Sequence, residues 1–192
     1  MRLPAAIIRT VRLILDLGAN IECASAYFLS AFPDASVIAV EPDPENTARC
    51  RDNLRPYGDR VSVIRGAVWH SGGELVLSRE HGKEWAVQVR QAKPGENADT
   101  IAYSVPDLLK TSHLQQIDLL KIDIEGSELA LFSRNTEPWL GTVKNICVEL
   151  HGTECESVFL KALENFQYEA SRLGEHLLCL NLSSKRTLGP KA

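Results

Sequence analysis

The chain has 192 residues, of which 44% are apolar and 24% charged, and its net charge is −4. This composition is typical of one globular domain, and the negative charge provides no general attraction for nucleic acid or anionic membranes. No apolar run reaches the ~20 residues of a membrane span. The five scattered cysteines contain no Cys-x-x-Cys pair, which disfavours a zinc site or a disulfide framework. We expect one cytoplasmic domain over 1–192 with reduced, buried thiols, no nucleic-acid partner and no membrane partner; the oligomeric state is left open.

Short apolar runs alternate with amphipathic stretches in the first third of the chain. The run at 13–17 is apolar except for Asp16 and is followed by Gly18, which is typical of a strand buried on both faces. Asp43 is a suitable N-cap for a helix that begins at Pro44. The pattern predicts strands over 13–17, 36–40 and 61–65 and helices over 23–32 and 44–54. This order predicts an α/β fold with a doubly wound parallel sheet and right-handed crossovers.

The middle of the chain departs from this alternation. Strand-like segments at 74–77 and 85–89 follow glycine-containing turns at 71–73 and 81–83, so residues 70–98 are predicted to be a β-hairpin insertion at the sheet edge.

The alternation then returns. The pattern predicts helices over 105–112, 127–133 and 155–166, strands over 118–123, 144–150, 168–173 and 177–180, and a frayed tail over 183–192.

The loop after the first strand is a candidate ligand site, since open parallel sheets bind ligands at the carboxyl ends of their strands. Asp16, Gly18 and Asn20 form an Asp-x-Gly-x-Asn sequence with one glycine, whereas a dinucleotide fingerprint needs three. Glu41 ends the second strand, where a carboxylate can accept both hydroxyls of a ribose. These residues favour a ligand with a nucleoside and no pyrophosphate. The alternative is an ordinary turn and a solvated charge.

The second candidate is acidic. The predicted strand over 118–123 delivers Asp123 and Glu125 to the same edge as Asp16, and buried carboxylates need positive compensation. S-adenosylmethionine would supply it through its sulfonium and its ammonium group. The alternative is that Glu125 or Glu128 caps the next helix.

Glu149 and His151 end the following strand near the same edge. A hydroxyl that receives a methyl group must lose its proton, and His151, Glu149, Glu125 or Asp123 could accept it. His151 could equally be structural. A divalent metal held by Asp123, Glu125 and Glu149 is the less favoured hypothesis, because their spacing matches no firm ligand pattern; no metal is expected.

Five segments of this chain together resemble one known family. They are Asp-Leu-Gly-Ala-Asn-Ile at 16–21, Val-Ile-Ala-Val-Glu-Pro-Asp-Pro-Glu-Asn at 37–46, Gly-Ala-Val-Trp at 66–69, Asp-Leu-Leu-Lys-Ile-Asp-Ile-Glu-Gly-Ser-Glu at 118–128 and Val-Glu-Leu-His at 148–151. Over about 13–182 the chain resembles the FkbM family of class I methyltransferases.

The resemblance implies a Rossmann-like, seven-stranded, mostly parallel sheet with one antiparallel strand, S-adenosyl-L-methionine as cofactor, and O-methylation of a hydroxyl on a sugar or natural-product small molecule. By position, it implies that Asp16, Gly18 and Asn20 contact the methionine part, that Glu41 binds the ribose, that the Ala67 backbone lies near the adenine, and that Asp123 lies near the sulfonium and the acceptor.

Glu22 departs from the family, which usually has a glycine there, and few residues precede the first strand. Both features motivate an alternative function, a methyltransferase-like binding module with weakened catalysis. A third hypothesis, an NAD-dependent oxidoreductase, is disfavoured by the missing glycines.

Overall fold

The computed structural model describes residues 10–21, 23–79 and 87–185. The strands in this part of the chain are β1 (Leu13–Leu17), β2 (Ser36–Glu41), β3 (Val61–Arg65), β4 (Ala67–Val68), β5 (Gly73–Arg79), β6 (Val87–Gln91), β7 (Thr100–Tyr103), β8 (Leu119–Ile122), β9 (Ile146–Glu149), β10 (Phe166–Leu173) and β11 (His176–Ser184). The α-helices are α1 (Cys23–Ala31), α2 (Pro44–Leu54), α3 (Val105–Leu109), α4 (Glu128–Ser133), α5 (Glu137–Leu140) and α6 (Thr153–Ala162), and 3-10 turns occupy Arg55–Arg60.

Seven strands form the main sheet in the order β10-β11-β9-β8-β1-β2-β3. β11 is antiparallel to both of its neighbours, and the other pairs are parallel. The predicted mostly parallel sheet with one antiparallel strand is therefore confirmed. The strand order reverses between β1 and β8, and such a switch point leaves a crevice at the carboxyl ends of the strands.

Helices cover both faces of the main sheet. Alternate residues of β1 point to opposite faces, so Leu15 packs in the core that contains Phe132 of α4, while Ile14 packs with Phe28 of α1. Each of these four side chains is almost fully buried. Double coverage explains why the strands read as continuous apolar runs rather than as alternating patterns.

The predicted hairpin occurs, but at a different place in the architecture. β5 and β6 pair antiparallel, and they belong to a separate four-stranded sheet of order β4-β7-β5-β6 rather than to the edge of the main sheet. β4 and β7 were not predicted because each has only two to four residues. Trp85, Ala86 and the predicted turn at 81–83 lie outside the described residues.

Several predicted boundaries were wrong. The helix predicted over 105–112 ends at Leu109, and that predicted over 155–166 spans Thr153–Ala162. Phe166 begins β10 and still packs against the core, so its spacing from Phe159 could not separate helix from strand. Ser183 and Ser184 were predicted to be frayed but pair with β10.

Two further observations concern composition. Four cysteines are buried as expected, whereas Cys23 is exposed. Of the helices in the described ranges, none is long and apolar enough to cross a membrane.

Candidate functional site

A cleft opens at the switch point of the main sheet. Its lining comes from the loops after β1 and β8, the end of β2, and the second sheet. The described residues that line it are Gly18, Asn20, Val40, Glu41, Pro42, Asn46, Gly66, Ala67, Val68, Val89, Asp123, Ile124, Glu125 and Ser127. The fold thus brings together five of the six residues predicted to bind a cofactor. The sixth, Asp16, lies beneath the cleft.

Gly18 occupies the tightest point of the loop after β1. Its φ is +78°, and a Cβ built on it would lie 1.7 Å from the carbonyl oxygen of Asp123. The backbone N–H groups of Gly18 and Ala19 both donate to the carbonyl of Val40, at 3.0 Å. The loop is therefore held between β2 and the segment after β8, and only glycine fits at this position.

Asp16 and Lys121 form a buried ion pair under this loop. They are partners in the β1–β8 register, and Lys121 Nζ lies 3.1 Å from Asp16 Oδ1. Ser25 Oγ donates to Asp16 Oδ2 at 2.7 Å. Burial opposes the charge on Lys121, but Asp16 and Asp123 outweigh it and hold the pKa of the ammonium above its usual value. The ammonium group of Lys121 therefore stays charged.

Lys121 connects this pair to the cleft. Its Nζ donates to the Gly18 carbonyl at 2.7 Å and lies 3.8 Å from Asp123 Oδ2. Part of the positive charge that Asp123 requires thus comes from the chain itself. Lys121 was not identified from the sequence, although a lysine inside an apolar strand is an unusual residue in a buried position.

Glu41 is a buried carboxylate in the wall of the cleft. Its Oε2 accepts the N–H of Asn20 at 2.9 Å, and its Oε1 accepts the N–H of Asp43 at 3.0 Å. Burial raises the pKa of Glu41, although these backbone hydrogen bonds oppose the shift. A carboxylate oxygen can accept two hydrogen bonds, so Glu41 retains capacity for hydroxyl donors in the cleft.

Glu125 and Glu128 lie on the turn after β8 and have different environments. Glu125 lines the cleft with a φ of +52°, a left-handed conformation that is rare for residues other than glycine, asparagine and aspartate. Glu128 is fully buried, and its Oε1 accepts the N–H of Ile124 at 3.1 Å. Glu128 therefore stabilises the turn that precedes α4, but this hydrogen bond is not a helix cap, because Ile124 lies before the helix and the N-terminus of α4 has no side-chain cap.

His151 lies among three glutamates beside the cleft. Its Nδ1 is 3.2 Å from Glu128, and its Nε2 is 3.5 Å from Glu125 and 3.6 Å from Glu149. The hydrogen bond with Glu128 and the neighbouring charges raise the pKa of His151 to about 9, against the effect of burial. The imidazole is then protonated at neutral pH, which disfavours His151 as a base. Burial, followed by repulsion from Asp123, raises the pKa of Glu149.

The raised pKa of His151 predicts a pH-dependent stability. A histidine whose pKa rises on folding stabilises the protein fully below the unfolded pKa, about 6.5, and loses this contribution as the pH rises through about 9. We expect the difference in free energy of unfolding between wild type and His151→Gln to be large at pH 6 and small at pH 10, measured by urea denaturation. The exposed His113→Gln is the control, and a difference that does not change with pH would contradict the assignment.

Comparisons with known proteins agree with this architecture. A family model described as the Methyltransferase FkbM domain matches residues 16–175. The 2-O-methyltransferase NoeI of Sinorhizobium fredii is 30% identical over 131 residues, which cover 60% of this chain and 54% of NoeI. The methyltransferase sdnD of Sordaria araneosa is 28% identical over 170 residues, which cover 71% of this chain and 65% of sdnD. The chain thus spans roughly half to two thirds of these relatives.

A solved structure supports the fold. The precorrin-6y C5,15-methyltransferase from Geobacter metallireducens aligns with a TM-score of 0.55 at 12% identity, covering 94% of this chain and 85% of that one.

Proposed function

The chain belongs to the FkbM methyltransferase family, and on that premise we propose that it transfers the methyl group of S-adenosylmethionine to a hydroxyl of a sugar or natural-product small molecule. The observation that carries the proposal is the charge of the cleft. Glu41, Asp123 and Glu125 line it, and none of the lining residues in the described ranges is basic. Such a wall suits a ligand with a sulfonium and an ammonium group, and it repels a pyrophosphate.

The residues of the cleft fit the parts of this cofactor. The carboxylate of Glu41 can accept ribose hydroxyls, and Val40, Ala67 and Val68 offer an apolar wall for a base. Asp123 and Glu125 follow the carboxyl end of β8, where their negative charge would stabilise the sulfonium of a bound cofactor. The same charges disfavour NAD, the third hypothesis from the sequence.

S-adenosylmethionine, when bound, supplies the methyl group from its sulfonium, and the rest of the cofactor is released as S-adenosylhomocysteine. The chain's own residues must align the acceptor oxygen with that methyl and remove the hydroxyl proton. Asp123 and Glu125 are the predicted bases that line the cleft, and either carboxylate would accept the proton that the hydroxyl loses when its oxygen receives the methyl group. Lys121 holds the Gly18 carbonyl in place through a hydrogen bond and supplies a positive charge 3.8 Å from Asp123 Oδ2.

Oxygen as the methyl acceptor is supported by the relative whose name specifies 2-O-methylation. The test is incubation with methyl-labelled S-adenosylmethionine and a panel of saccharides and hydroxylated natural products, with the corresponding amines as controls. We expect the label on oxygen and an equal amount of S-adenosylhomocysteine. Label on nitrogen or carbon would overturn O-methylation. Tight cofactor binding without transfer to any acceptor would favour the binding-module alternative; Glu22, on which that alternative rests, lies outside the described residues.

The role assigned to Glu41 predicts a ligand-specific defect. Glu41→Gln removes the charge behind the ribose hydrogen bonds, each about 1.5–3 kcal/mol when charge-assisted, so we expect affinity for S-adenosylmethionine to fall at least tenfold by calorimetry. Glu45→Gln, on the exposed first turn of α2, should leave it unchanged. An analogue without the two ribose hydroxyls should lose much less affinity, because only the hydrogen bonds from Asn20 and Asp43 to Glu41 are then disturbed. An equal loss for both ligands would contradict ribose recognition.

A further inference from the structure

Three side chains from three adjacent strands meet beside the cleft. Asp123 follows β8, Glu149 ends β9, and His176 begins β11. Glu149 and His176 are partners in the β9–β11 register, and one ligand atom from each of the three residues lies within 4.8 Å of the others. All three are partly buried, so they are sheltered but remain reachable. His176 was not identified from the sequence.

The separation between His176 and Glu149 is typical of two ligands of one cation rather than of a hydrogen bond. His176 Nε2 lies 3.7 Å from Glu149 Oε2, whereas hydrogen bonds are usually about 2.7–3.2 Å long. Two atoms bound to one cation at about 2.1 Å each lie about 3 to 4.2 Å apart. In the part of the chain that the structure describes, the His176 imidazole forms no hydrogen bond. Asp123 also remains available, because Lys121 Nζ is 3.8 Å from its Oδ2.

We infer that Asp123, Glu149 and His176 form a binding site for one divalent first-row transition cation at the margin of the cleft. One imidazole and two carboxylates suit Mn²⁺, Fe²⁺ or Zn²⁺ better than Mg²⁺ or Ca²⁺, which prefer oxygen ligands alone. The cation also compensates two carboxylates that lie near each other. This set differs from the trio of carboxylates considered from the sequence, because the register brings in His176 and leaves Glu125 out.

A second set, Asp123 with Glu125 and His151, satisfies the same distance criterion. Its imidazole is already hydrogen-bonded to Glu128 through Nδ1 and faces Glu125 and Glu149 through Nε2. Three glutamates therefore surround the His151 ring, whereas among the described residues Glu149 is the one carboxylate that lies within 4 Å of the His176 ring. This difference assigns the cation to the set that contains His176.

The position of the site gives the cation a role in the proposed reaction, and this step rests on the proposed function. Asp123 belongs both to the cation site and to the lining of the cleft. A cation held there can bind the acceptor hydroxyl, lower its pKa and orient its oxygen. The cation remains bound and unchanged, and the hydroxyl proton passes to the carboxylate of Glu125 at the same edge.

The test is calorimetric titration of the whole chain with Mn²⁺, followed by electron paramagnetic resonance of bound Mn²⁺. Mn²⁺ is the probe because the exposed thiol of Cys23 would compete for Zn²⁺. We expect one site, weaker binding of Mg²⁺, and a loss of Mn²⁺ affinity of at least tenfold in His176→Asn and in Glu149→Gln. The matched control is Glu175→Gln, which removes an exposed charge that acts on Glu149 without removing a ligand.

Absence of Mn²⁺ binding at millimolar concentration would overturn the proposal. An equal loss of Mn²⁺ affinity in Glu175→Gln would show that Mn²⁺ is attracted by the general negative charge and not by these ligands. A loss of Mn²⁺ affinity in His151→Asn but not in His176→Asn would show that the other set binds the cation. Either outcome would overturn the assigned site. Urea denaturation of each variant shows that it is folded, and S-adenosylmethionine titrations are run separately without added metal. These titrations test the proposed function on its own.

Discussion

Gly18→Ala is expected to destabilise the protein by about 3 kcal/mol or more, measured by urea denaturation. The new Cβ would lie 1.7 Å from the backbone carbonyl of Asp123, and the φ of +78° is strained for alanine. The left-handed conformation destabilises alanine by about 1–2 kcal/mol. Overpacking by the new Cβ destabilises the protein by a further amount of about 1–3 kcal/mol. Because the clash moves the loop or Asp123, affinity for S-adenosylmethionine should fall at least tenfold as well.

Gly95 provides a matched control for this substitution. Its φ is +82°, close to that of Gly18, but a Cβ at Gly95 would meet no atom of the described residues within 4 Å. Gly95→Ala should therefore show the conformational strain alone and leave ligand binding unchanged. Equal destabilisation by the two substitutions would contradict the close contact between the loop and the segment after β8.

Lys121→Met is expected to have a comparable effect, a loss of about 3–5 kcal/mol in the free energy of unfolding, because it leaves Asp16 charged and buried without its counter-ion. The Gly18 carbonyl also loses its donor. Adding Asp16→Asn removes the unpaired charge, so the double variant should be more stable than Lys121→Met alone. Denaturation of the single and double variants measures this coupling.

The control for Lys121 is Lys110→Met, which breaks an exposed ion pair with Asp107 and should cause a much smaller loss. If Lys121→Met were no more destabilising than Lys110→Met, or if Asp16→Asn failed to recover stability in the double variant, the buried pair would not support the cleft as described.

The sequence alone predicted the site residues whose location depends only on residue type and on position at the end of a strand. Four residues of the cleft end or follow buried strands: Gly18, Asn20, Glu41 and Asp123. Parallel strands bring their carboxyl ends to one edge of the sheet, so the convergence of these four residues was predictable. The N-cap at Asp43 was predictable for a similar local reason, since its side chain accepts the N–H groups of Glu45 and Asn46.

The residues that the sequence could not identify depend on register. Lys121 reaches Asp16 because the two are partners between β1 and β8, and His176 reaches Glu149 through the pairing of β9 with β11, an antiparallel strand from the far end of the chain. No local pattern encodes either pairing. The separate sheet was missed because β4 and β7 are too short for a periodic signal.

The most direct test of the central claim, that the acidic cleft binds S-adenosylmethionine, is calorimetric titration of the purified chain with S-adenosylmethionine and S-adenosylhomocysteine, with NADH as the control ligand. We predict micromolar binding of at least one of the two, about −8 kcal/mol, and no binding of NADH. Absence of binding by a protein shown to be folded, or binding of NADH instead, would contradict the assignment of the cleft.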